Sequence, residues 1–237
     1  MVGAVAVVVG AGGGIGSAFV DALGASGRFD RIHALARRPG ANEDRILHGP
    51  IDITDEASIA AAAGRLGEPV DLVLVATGWL HDAGHMPERA LRDLEPAALA
   101  RSFAVNTIGP ALLLKHFAPL LPKDRRAVIA MLSARVGSIS DNRTGGWYGY
   151  RASKAALNMI IRSAAIELRR TRPEAICVAL HPGTVDTSLS APFQGRVPPE
   201  RLFGADRAAR QLLAVIDDLT LEASGRIFAW DGKEIDP

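Results

Sequence analysis

Cysteine is nearly missing from this chain. Cys177 is the only one, and it lies in the apolar run Ile176-Cys177-Val178-Ala179-Leu180. An intrachain disulfide framework is therefore excluded, and Cys177 reads as a buried small hydrophobe rather than a reactive thiol. An excess of either charge is missing too: 27 Lys and Arg against 26 Asp and Glu leave a formal charge of +1. That balance supplies no strong field for nucleic acid or an anionic membrane. The uncharged stretch Met1–Val20 lacks a preceding Lys or Arg and is broken by Gly10, Gly12, Gly13, Gly14 and Gly16, which suits neither a signal peptide nor a membrane span. No other stretch is expected to reach the roughly twenty apolar residues of a transmembrane helix. His81, His85, His116 and His181 are too scattered for a metal site. These absences lead to the expectation of a cytoplasmic protein with no metal, nucleic-acid or membrane partner.

What is present is a regular alternation. Strand-like runs at Ala4–Val9, Arg31–Ala36, Leu72–Ala76, Ala127–Leu132, Ala175–Leu180 and Arg226–Trp230 are separated by helical patterns at Gly14–Ala25, Ala57–Leu66, Ala97–Leu120, Tyr148–Arg170 and Ala205–Leu219. Several strand runs are continuously apolar, as in a parallel sheet covered on both faces. The prediction is an α/β fold: one Rossmann-like, doubly wound domain over residues 1–237, with a mostly parallel sheet and helices on both sides. The proline-bearing segment Ser188–Phe203 interrupts the pattern where it could cover a ligand crevice.

The turn Gly10-Ala11-Gly12-Gly13-Gly14-Ile15-Gly16 follows the first strand and opens the first helix. In that context glycines permit a tight turn and bring N–H groups and a helix N-terminus to a pyrophosphate. The second strand ends in Ala36-Arg37-Arg38-Pro39 without a carboxylate, and Asp30 precedes the strand. Arginine suits the extra phosphate of NADP, so NADP(H) is expected to be preferred over NAD(H).

Tyr150 and Lys154, four apart, share one helix face. A phenol with a reference pKa of about 10 is a poor acid at neutral pH, and a nearby ammonium favours its ionised form. With these residues the chain resembles the short-chain dehydrogenase/reductase family over nearly its whole length. The resemblance rests on the Gly10–Gly16 turn, Asp52-Ile53, Val105-Asn106-x-x-Gly109, Tyr150-x-x-x-Lys154 and Pro182-Gly183-Thr184-Val185-Asp186-Thr187. More narrowly, the Gly137–Asn142 and Gly145–Arg151 segments are similar to the branch of the developmental C-factor and sniffer-type carbonyl reductases.

The resemblance implies that Tyr150 exchanges a proton with a small carbonyl or alcohol substrate during hydride transfer. Lys154 would lower the Tyr150 pKa and hold the nicotinamide ribose, and Asn106 would keep a relay water. Cofactor contacts would come from Gly10, Gly12, Gly14, Ile15, Gly16, Arg37, Arg38, Asp52, Ile53, Ala76, Gly78, Asn106, Tyr150, Lys154, Pro182, Gly183, Val185 and Thr187. The family's Asn-Asn-Ala-Gly segment is Val75-Ala76-Thr77-Gly78 here. Its serine position, three before Gly137, is Ala134, which leaves Ser133, Ser138 or no serine; Ser133 is the first choice. A dehydratase or epimerase, or a regulatory NADP(H)-binding protein with little turnover, are the alternatives. Homodimers or homotetramers, through helices around Leu99–Phe117 and Leu157–Leu168, follow from the same resemblance.

Overall fold

Val5–Val9 form strand β1, five apolar residues that are all buried. The computed structural model describes residues 3–237, so Met1 and Val2 of the predicted domain lie outside it. Helix α1 (Gly14–Ser26) ends at Gly27 in the left-handed conformation, a common helix stop. Strand β2 (Arg31–Ala36) and strand β3 (Ile46–Pro50) follow. Helix α2 (Glu56–Gly64) starts at Asp55, whose carboxylate accepts from Ala57 N–H as an N-cap. Then come β4 (Leu72–Val75), α3 (Pro96–Phe103), α4 (Gly109–Phe117), β5 (Ala127–Leu132) and the long α5 (Tyr148–Thr171). The chain closes with β6 (Ala175–His181), the short β7 (Thr184–Val185) and β8 (Leu202–Phe203), α6 (Ala205–Asp218) and β9 (Ile227–Ala229).

Seven of the strands form one sheet in the order β3-β2-β1-β4-β5-β6-β9, every pairing parallel. The Rossmann-like α/β fold expected from the alternation is what forms. Alternate residues of β1 feed opposite cores, which is why its run is apolar throughout. Val5, Val7 and Val9 meet Leu113 and Phe117 of α4 and Leu157 and Ile161 of α5. Ala6 and Val8 meet Phe19 and Leu23 of α1 and Leu212 and Ile216 of α6. Each such fully buried large side chain contributes roughly 1.5–3 kcal/mol. Cys177 is fully buried in β6, and burial pushes its thiol up to about 12, so it stays protonated.

Four sequence expectations change. The segment Ile46–Pro50 pairs with β2 as the sheet edge although its Gly49 and Pro50 hide any strand pattern. The minimal pair β7–β8 also went unread. The expected helix Ala97–Leu120 divides into α3, a π turn over Ala104–Ile108, α4 and a 3-10 turn at Ala118–Leu120. This whole stretch, Pro96–Leu120, is also long and apolar enough to span a membrane by composition, contrary to the expectation of no such stretch. Its apolarity is used inside the fold: Leu113, Leu114 and Phe117 are buried in the core beneath α5.

Candidate active site

A cleft of about 1180 Å³ opens past the carboxyl ends of the strands, where β1, β4 and β5 hand over to their loops. This is the position where open α/β sheets bind ligands. At one end lies the glycine turn. Gly10 has a φ of 89°, and a Cβ on Gly16 would stand 2.1 Å from the Gly10 carbonyl oxygen, so both positions require glycine. The N-cap of α1 is Gly13, and the first turn has no capping side chain and no acidic residue. Its N–H groups therefore face the cleft as an uncompensated positive end.

Arg37 and Arg38 line the same end and pair with no carboxylate among the described residues. Asp52, also on the wall, accepts from the Thr54 hydroxyl (2.7 Å) and N–H (2.9 Å), which holds its carboxyl below the usual range.

Tyr150 and Lys154 stand at the other end, on the first two turns of α5. Lys154 is buried, and its ammonium donates to Leu132 O at 2.8 Å, at the end of β5. It lies 5.8 Å from the centre of the Tyr150 ring. Burial pushes the phenol up to about 12 and the ammonium down to about 8. The expected downward pull of Lys154 on Tyr150 thus does not prevail: desolvation disfavours both charged forms, and the ammonium is turned to a backbone carbonyl.

Asn106 is fully buried behind this wall, on the π turn. Its amide brackets Trp79, accepting from Trp79 N–H and donating to Trp79 O, both at 2.8 Å. It also donates to the hydroxyls of Ser153 (3.1 Å) and Ser102 (3.3 Å). The side chain is thus engaged in holding the loop after β4 rather than pointing into the cleft. Gly109 lets the π turn approach: a Cβ there would stand 2.4 Å from the Ile53 carbonyl oxygen.

Ser133 lines the cleft, and its hydroxyl donates to Asn158 Oδ1 on α5 at 2.7 Å. Ser138 is buried away from the cleft lining and accepts from Asp141 N–H at 3.1 Å. Of the remaining predicted residues, Gly12, Gly14, Ile15, Ile53, Ala76, Gly78, Pro182 and Thr187 join the lining. Val185 is buried in the β7–β8 pair, and Gly183 turns against Phe203 with a φ of 77°. His181 follows Leu180 at the end of β6; burial, aided by Arg135, pushes its imidazole down to about 4, so it is neutral.

The model of the family described as short chain dehydrogenase matches residues 4–196. The chain belongs to this family. Among relatives of this short-chain dehydrogenase, C-signal of Myxococcus xanthus is 39% identical over 147 residues, covering 62% of this chain and 82% of that one. The 1-hydroxy-2-glutathionyl-2-methyl-3-butene dehydrogenase of a Rhodococcus species is 35% identical over 187 residues, covering 77% and 76%. The NADPH-bound carbonyl reductase from chicken fatty liver superposes with a TM-score of 0.84 at 26% identity, covering 98% of this chain and 94% of that one.

Trp79, Arg101 and Asn158 carry no motif that marks them in the sequence. Trp79 lines the cleft with Arg101, whose guanidinium lies 4.8 Å from the Trp79 ring and pairs with Asp82. Adjacency to Gly78 was the available signal for Trp79, and the helical spacing from Lys154 was one for Asn158. Trp147 contacts the Tyr150 ring edge-on at 6.3 Å and Phe193 at 4.8 Å, tying the Ser188–Phe203 segment to the start of α5. His81 Nε2 lies 3.1 Å from Leu189 O on the same segment.

Proposed function

We propose that the chain is an NADP(H)-dependent oxidoreductase that reduces a carbonyl, or oxidises an alcohol, on a small organic substrate, working as a single domain. The observation that carries this reading is one cleft with an uncapped, glycine-lined helix N-terminus and free arginines at one end and Tyr150 with Lys154 at the other. The residues fit a dinucleotide: glycines leave the turn open, N–H groups can take a pyrophosphate, and Arg37 and Arg38 can take a further phosphate. The relationship to a carbonyl reductase solved with NADPH agrees with that fit. When bound, the nicotinamide would supply or accept the hydride.

This chain's own residues handle the proton and the alignment. Tyr150, held neutral by burial, donates its phenolic proton to the carbonyl oxygen. The Lys154 ammonium, fixed by Leu132 O, stands beside it to stabilise the phenolate that remains. Asn106 and Ser153 keep the cleft wall and the first turn of α5 in register. The similarity to C-signal supports a second reading, a signalling output with little turnover.

The test is NADPH oxidation with a panel of aldehydes, ketones and quinones, repeated with Tyr150→Phe. The variant should lose on the order of 10²–10⁴-fold in turnover while NADPH still binds. Retention of more than half the wild-type rate would sink the assignment of Tyr150, and no turnover on any substrate would favour the signalling reading.

A further inference from the structure

Glu88 is a carboxylate in an unusual place. It comes from the loop between β4 and α3, is only 3% exposed, and has no basic partner among the described residues. A buried carboxylate without a cation is costly unless N–H groups or a helix dipole compensate it. Here the compensation is the N-terminus of α5. Glu88 Oε2 accepts from Gly149 N–H at 3.2 Å, and the Glu88 carbonyl accepts from Trp147 N–H at 2.6 Å.

The helix has no cap of its own. Trp147 occupies the N-cap position in the left-handed conformation, with φ 52°, and offers no side-chain acceptor. The approach is close as well, since a Cβ on Gly149 would stand 2.9 Å from Glu88 Oε1. Gly149 immediately precedes Tyr150.

We propose that Glu88 is a positioning residue for the reaction: it caps α5 from across the loop and so fixes the turn that carries Tyr150. This rests on the reading of Tyr150 as the proton donor. Glu88 acts through Gly149 and Trp147, not on the substrate, and the dinucleotide end of the cleft lies at α1. Its loss should therefore reach kcat and leave NADPH affinity alone.

The experiment compares Glu88→Ala, Glu88→Gln and Gly149→Ala in the full chain. Glutamine keeps an acceptor for Gly149 N–H, whereas alanine at either position removes or displaces it. In Glu88→Ala and Gly149→Ala, amide exchange across Trp147–Arg151 should quicken and kcat should fall tenfold or more, with NADPH Kd by calorimetry within about twofold; Glu88→Gln should restore most of both. Gly149→Ala places a Cβ 2.9 Å from Glu88 Oε1 and also 3.2 Å from Leu99 Cδ2, so its loss supports the contact with Glu88 only together with the loss in Glu88→Ala and the rescue in Glu88→Gln.

Unchanged exchange in Glu88→Ala overturns the proposal, whatever the chain turns over. Native kcat in Glu88→Ala, alongside a turnover loss in Tyr150→Phe, overturns it while leaving the Tyr150 reading intact. Native turnover in Tyr150→Phe removes the reading it rests on. A parallel fall in kcat and NADPH affinity that glutamine does not rescue shows general unfolding and also overturns it.

Discussion

At Ser133 the motif of the family and the geometry of this chain meet with different answers. Ala134 holds the usual offset from Gly137 and has no hydroxyl, while Ser133 lies on the cleft wall with its proton given to Asn158 Oδ1. A serine in that state can accept from a substrate alcohol, and it can donate to a carbonyl once the Asn158 amide turns to offer its Nδ2, which is buried without a partner. Ser138 is spent on the Asp141 turn. Ser133→Ala is accordingly expected to lower kcat by roughly 10²-fold, the usual cost of one donor at a developing oxyanion, and Ser138→Ala to stay near wild type. Steady-state turnover of the two variants decides it, and near-native rates in both would show that Tyr150 works without a serine. The arginines are tested by affinity instead. Changing Arg37 and Arg38 together to alanine should weaken NADPH at least tenfold and NADH little, because charge-assisted bonds to the extra phosphate are lost. Equal native affinity for the two dinucleotides would remove the preference.

At the scale of the element, α5 carries a buried charge, and that makes a pH-dependent statement. Lys154 has its pKa lowered by burial from 10.5 to about 8. Between about pH 8 and 10 the folded chain has released this proton while the unfolded chain still holds it, so unfolding takes up protons and stability rises with pH. The size is on the order of 3 kcal/mol over the whole window. Above pH 10 Tyr150, raised to about 12, works in the opposite direction, since the folded state then holds the extra proton. Thermal melts of wild type and Lys154→Met from pH 7 to 10 should show a rise in the wild type relative to the variant. Parallel curves would mean that Lys154 is hydrated rather than desolvated. The tie from Lys154 Nζ to Leu132 O also makes the charge a brace between α5 and the end of β5.

For the molecule as a whole, α5 and the neighbouring π turn keep apolar side chains outside the two cores. Met159 and Ile166, seven apart on α5, are 66% and 46% exposed, and Ile108 on the π turn is 52% exposed. Association through this face is the outcome expected from the family resemblance. Sedimentation equilibrium should find a dimer or tetramer, and Met159→Glu should shift it toward monomer, because it puts a charge on that apolar surface. A native monomer would end that expectation.

The alternation of apolar runs and helical patterns was enough to place the sheet, since a parallel strand covered on both faces must be apolar throughout, as Val5–Val9 is. The glycine turn was legible as a local device between strand and helix. A Tyr and a Lys four apart, by contrast, are common by chance, and it was the resemblance to the family that singled out Tyr150 and Lys154, both of which line the cleft. Ile46–Pro50 was not legible, because only its pairing with β2 makes it a strand. Nor was the direction of the Tyr150 shift, which depends on how much protein surrounds the phenol, or the state of Ser133, which depends on a residue 25 positions away. Glu88 lies furthest from any sequence signal. Its carboxylate meets Gly149 across 61 positions, and only the folding of the β4–α3 loop against the start of α5 turns an ordinary acidic residue into that helix's cap. Contacts near in sequence are written in spacing, whereas burial and long-range pairing exist only once the chain has closed on itself.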